Sequence, residues 1–108
     1  MTSSTHLAVF TTIDSHSSAQ AMAQNIVERK LAACVQISAI ESFYTWNDAV
    51  QHDQEFRLVF KTTAAAYQAL ENAIRELHTY ELPAIYALPV EKMFEPYQAW
   101  VDQMLSKS

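Results

Sequence analysis

Glycine is absent from all 108 residues, against an average usage of about 7%. That absence excludes the glycine-rich loops of P-loop NTPases and of dinucleotide-binding domains, whose backbone must approach phosphate closely. It also moves tight turns onto asparagine or aspartate, which reach positive φ at least cost among the other residues. Cysteine occurs once, as Cys34, so an internal disulfide and a cysteine-rich zinc site are both excluded. A reducing, cytoplasmic compartment is the expectation. Basic residues are few: seven Lys and Arg stand against twelve Asp and Glu, for a formal net charge of -5. Nucleic-acid binding needs a basic face, so none is expected. No apolar run approaches the roughly 20 residues of a membrane helix, so no membrane association is expected. The opening MTSSTHLAVF lacks the basic and apolar regions of a signal peptide. Residues 1–5 are expected to be disordered, at the start of a single domain over 1–108.

Half of the residues are hydrophobic, enough for one core in a chain of this size. LAVFT (7–11) reads as a short buried strand. Ser17 and Gln20 have the spacing of a capping box, and Ala19, Met22, Ala23, Ile26 and Val27 recur at helical spacing. A helix over 17–30 follows. ACVQISAIESFYTW (33–46) alternates as a strand, with a phase slip at Ala39 and Ile40 that predicts a bulge or bend. NDAVQHDQ (47–54) reads as turn-like. EFRLVFKT (55–62) places Phe56, Leu58 and Phe60 on one face and Glu55, Arg57 and Lys61 on the other. Asn47-Asp48 joins the two strands into a long hairpin.

Thr63 is placed to cap a helix over 64–77, with Tyr67, Leu70, Ile74 and Leu77 inward. LPAIYALPV is a short strand between Pro83 and Pro89, and Glu95-Pro96 begins a closing helix. The order β-α-β-β-α-β plus a final helix predicts an α+β, ferredoxin-like fold. The hairpin outreaches so small a sheet, and Phe43, Tyr44 and Trp46 lie near its tip. Exposed edges of this kind are normally covered, here by a second subunit.

LAACV (31–35), SFYTW (42–46), EFRLVFKT (55–62), HTYELPAIYALPV (78–90) and PYQAWV (96–101) together resemble the CutA divalent-cation-tolerance family, in order and over nearly the whole chain. The resemblance implies a homotrimer with PII-like architecture and hairpins joined edge to edge. It implies a link to tolerance of copper and other divalent cations, and it brings no catalytic reaction, so a non-enzymatic protein is expected. The sequence departs from the family's pattern at Thr79, where proline is usual, at Ala84, a common glutamate, at Thr11, where some members have cysteine, and at Asp48, an expected glycine. Thiol and carboxylate donors are thereby lost to any metal site.

His78 and Glu81 are the candidate metal ligands, for weakly bound Cu2+ or another divalent cation. Two donors fall short of the three or four a closed site needs. The plainer reading makes His78 a residue that closes the second helix. Cys34, among Ala32, Ala33 and Val35, reads as a small buried hydrophobe. Tyr44, Trp46, Lys61, Tyr80 and Glu81 have the composition of a small-ligand cleft or an oligomer interface, and in an edge-joined trimer the two coincide. No organic cofactor is expected. Two alternatives stand beside metal or ligand binding: a PII-like sensor of small molecules between subunits, and a stable scaffold that docks other proteins.

Overall fold

The computed structural model describes residues 5–106, so four of the five residues expected to be disordered lie outside it. The elements run β1 (His6–Ile13), α1 (His16–Glu28), β2 (Cys34–Trp46), β3 (Ala49–Thr63), α2 (Tyr67–Leu77), β4 (Ile85–Pro89) and α3 (Glu95–Ser106). The strands form one antiparallel sheet in the order β2-β3-β1-β4. This is the α+β, ferredoxin-like arrangement expected from the sequence.

Side chains alternate across a strand, so the register assigns each residue to a face. Val9, Ile13, Leu58 and Phe60 share one face and pack fully buried against Ala19, Met22 and Ile26 of α1 and Leu70, Ala73 and Ile74 of α2. The opposite face carries Phe10 and Tyr86, stacked at 5.2 Å. Against that face lies α3. Its Asp102 Oδ1 stands 2.7 Å from Nε2 of the buried His6.

The helix ends show how a chain without glycine closes its turns. Ser15, not Ser17, caps α1: its Oγ accepts from the Ser18 N–H at 3.0 Å. Ser15 is extended at φ -136°, as an N-cap must be. At the other end the Lys30 N–H reaches the Val27 carbonyl and the Leu31 N–H reaches Ile26, the paired bonds of a Schellman motif. Lys30 therefore takes φ 59°, a conformation that glycine adopts more cheaply. Lysine thus joins asparagine and aspartate at positive φ. The second helix begins later than expected. Thr63 Oγ accepts from the Ala66 N–H within a preceding turn, and α2 starts at Tyr67 with no side-chain cap.

The hairpin differs most from expectation. Asn47 and Asp48 both have positive φ, 53° and 62°, the requirement of a two-residue type I′ turn. The turn ends there, and residues 49–54 continue the strand, so β3 has 15 residues. The predicted bulge is absent: pairing runs unbroken from Cys34↔Lys61 through Ala39↔Phe56 and Ile40↔Glu55 to Trp46↔Ala49. The phase slip has another cause. Beyond Ile37 the hairpin runs past the helices, so Ala39, Glu41 and Phe43 on the helix-side face become exposed. Burial passes to the opposite face, where Glu55 sits. At ~3.4 Å per residue the 13 residues of β2 span about 44 Å. β1 pairs only with residues 56–63 of β3, leaving the 49–55 edge without a partner strand among the described residues.

Candidate functional site

Immediately after α2 the chain turns through His78, an extended residue at φ -79° and ψ 146°. Its ring is engaged at both nitrogens. Nε2 lies 2.7 Å from the Thr12 carbonyl oxygen, and Nδ1 lies 3.0 Å from the Tyr80 backbone nitrogen. A carbonyl can only accept and an N–H can only donate, so Nε2 carries the proton and Nδ1 is the acceptor. The neutral ring ties the α2 exit to the end of β1 and sets the path of the following loop. Its bond goes across to β1, not to the last carbonyls of its own helix. Coordination through either nitrogen would break one of these bonds.

The loop so placed delivers Tyr80 to the hairpin. The Tyr80 hydroxyl donates to Glu55 Oε2 at 2.5 Å, and its ring tilts against His78 at 4.8 Å. Glu55 lies, as expected, on the face opposite Phe56, Leu58 and Phe60, and it is only 8% exposed there. Nearby, the Tyr44 hydroxyl donates to Asp53. The register puts Ser42, Tyr44 and Trp46 on the same face as Asp53 and Glu55. Ser42, Tyr44, Trp46, Glu55 and Tyr80 line a groove of about 530 Å³, within the usual size range of small-ligand sites. Thr12, Phe43, Glu81, Leu82 and Ala84 complete the lining.

Four of the five expected cleft residues, Tyr44, Trp46, Tyr80 and Glu81, are thus brought together. Lys61 is not. It pairs across the ladder with Cys34 and donates to Gln36 Oε1 at 3.0 Å, and six residues along a strand separate it from Glu55 by about 20 Å. Cys34 is partly rather than fully buried, because it faces the α3 side of the sheet instead of the core. The residue the sequence reading missed is Glu55. The signal was available: counting outward from an Asn47-Asp48 turn places Glu55 opposite Ile40, on the face of Tyr44 and Trp46.

The groove is electronegative. No Lys or Arg lines it. Burial, the hydrogen bond to Glu55 and the nearby negative charges of Glu55 and Asp14 push the Tyr80 phenol well above the ordinary tyrosine value. The bond to Asp53, with smaller contributions from partial burial and the charges of Asp53 and Glu55, raises Tyr44. Both therefore act as neutral donors. A metal ion finds no ready donor set: no group of three or more His, Cys, Asp and Glu is disposed to hold one among the described residues, and the His78 nitrogens are already bonded.

Residues 7–104 match the family described as CutA1 divalent ion tolerance protein. The solved structure of the periplasmic divalent cation tolerance protein CutA from Archaeoglobus fulgidus is 30% identical, with a TM-score of 0.91, over 94% of this chain and 99% of that one. CutA from Synechococcus elongatus PCC7942 is 33% identical with a TM-score of 0.94, over 98% and 95% of the two chains. Human Protein CutA is 38% identical over 98 residues, which are 90% of this chain and 55% of the human protein. The chain thus spans about half the length of that relative.

Proposed function

The chain belongs to the CutA1 divalent ion tolerance protein family, and on that premise we propose that it supports divalent cation tolerance as a non-enzymatic homotrimer with a small-ligand cleft beside its hairpin. The observation that carries the reading is the convergence of Tyr44, Trp46, Tyr80 and Glu81 on one groove. Oligomerisation is supported by apolar exposure along the same hairpin: Phe43 is 67% exposed and Val50 is 75% exposed. Aromatic side chains at a strand edge are what a partner subunit covers.

Copper, or another divalent cation, does not fit a single chain, because His78 is bonded at both nitrogens and no group of three or more His, Cys, Asp and Glu converges among the described residues. Any bound metal would draw donors from more than one copy and be held weakly. Sensing of an anion or nucleotide is disfavoured by carboxylates in the groove. Cytoplasmic location is part of the reading, resting on the single cysteine. The A. fulgidus relative is described as periplasmic, so fractionation against compartment markers is the check.

The deciding experiment deletes the gene and grades copper, zinc and cobalt in the medium. Loss of tolerance, restored by the wild-type gene and not by a Trp46→Ala, Glu81→Ala variant, is the expected result. Unchanged tolerance on deletion would refute the reading.

A further inference from the structure

Glu55 presents a specific imbalance. It is nine-tenths buried, yet no Lys, Arg or His among the described residues lies within ion-pairing distance of it. Its Oε2 accepts the Tyr80 hydroxyl, while no described donor reaches Oε1. With no cation beside it, the carboxylate keeps one oxygen free to accept, and a cationic donor entering the groove is its natural partner. Glu81 adds a second acidic side chain to the same groove, and Tyr44, Trp46 and Tyr80 supply aromatic surface.

We propose that this groove binds a small organic cation with N–H donors, an alkylammonium or guanidinium group, whose charge pairs with Glu55 and whose body lies against Trp46 and Tyr44. The inference rests on the reading of the groove as the ligand cleft and names the chemistry of what enters it. The choice among cations follows from the lining. A hard metal ion needs several converging oxygen or nitrogen ligands, which the groove lacks. An organic cation needs one or two carboxylates and aromatic faces, and gains both charge-assisted hydrogen bonds and cation–π contact. The open Oε1 acceptor favours ammonium or guanidinium over quaternary ammonium, which has no hydrogen to donate.

The test is calorimetric titration of the intact protein with agmatine in low-salt neutral buffer, with Trp46 fluorescence as a second signal. Saturable binding of one agmatine per chain is expected, with tetramethylammonium weaker. Glu55→Gln keeps an acceptor for Tyr80 and removes the charge, and should weaken agmatine about tenfold or more with circular dichroism unchanged. Ala84→Lys, at an exposed lining position, tethers an ammonium in the groove. It should abolish agmatine binding and raise the melting temperature. Absence of saturable binding, or binding indifferent to Glu55→Gln, overturns the inference. So does a silent titration joined to a weakened oligomer in Glu55→Gln, which would show a side chain of a second copy already in place. If agmatine fails while the gene still confers metal tolerance, this inference falls and the family reading stands. If agmatine binds through Glu55 while deletion leaves metal tolerance unchanged, the reverse holds.

Discussion

Replacing His78 by alanine separates its two possible roles by magnitude. The substitution removes the Nε2–H bond to Thr12 and the Nδ1 acceptor for Tyr80. Each such bond contributes about 1 kcal/mol net, and the two backbone groups left behind lose their partner in a half-buried site, for a total of about 2–4 kcal/mol. For a chain of about 100 residues each kcal/mol moves the melting temperature by roughly 4–8 °C, so a fall of roughly 8–32 °C is expected at fixed chain concentration. His78→Asn offers a short acceptor to the Tyr80 N–H in the manner of an Asx turn but cannot reach Thr12. It should recover about half of the loss. Denaturant and thermal unfolding measure both variants, with copper titration alongside. Melting of His78→Ala within about 2 °C of wild type would refute the structural argument. Loss of tight copper binding without loss of stability would make His78 a ligand.

Three further outcomes follow from the same geometry. Asp48→Gly relieves a positive φ of 62° and completes the favoured Asn-Gly turn, so it should stabilise the protein by up to about 1 kcal/mol; denaturant unfolding would show it. Trp46→Ala should dissociate the oligomer with little change in circular dichroism, since interface aromatics contribute about 2 kcal/mol or more while Trp46 is 53% exposed within the chain; unchanged mass by light scattering would refute this. Tyr80, Tyr67 and Tyr97 all have phenols raised chiefly by burial, so the folded state favours their neutral forms. Their contribution is complete below pH ~10, the unfolded value, and is lost as pH climbs through the raised values. The melting temperature should fall steeply above pH ~10, and less steeply in Tyr80→Phe.

The fold was legible because each element carries a local signal that agrees with its place. The 3.6-residue spacing of Ala19, Met22 and Ile26, and the alternation of Leu58 and Phe60, both end in the core. Boundaries were less legible where two local signals compete. Ser15 and Ser17 are both caps by type, and only the backbone at Ser15 leaves the helical region so that its hydroxyl faces the Ser18 N–H. The polar run 51–54 looked like a loop because polar side chains usually mark one. In a hairpin solvated on its flank, the backbone ladder to β2 supplies the pairing, and the side chains are free to be polar.

The site was half legible for a related reason. Composition alone marks Tyr44, Trp46, Tyr80 and Glu81, since aromatics among a few charges are recognisable in any register. It equally marked Lys61, which the strand carries to the other end of the sheet. Glu55 could not be found by type, because an isolated glutamate in an alternating strand normally faces water. Its burial is created at a distance. His78 fixes the exit of α2, that exit aims Tyr80, and Tyr80 closes over the carboxylate. The histidine that looked like a ligand thus acts one step away from the groove, by holding the residue that buries its charge. That chain of contacts makes a sharp demand on experiment. If Glu55 draws a cation into the groove, then His78→Ala must weaken agmatine binding without touching it, and Tyr80→Phe, which keeps the ring and loses the bond, must change affinity while leaving the α2 exit intact. An affinity unmoved by either substitution would mean that Glu55 is held by something other than this loop.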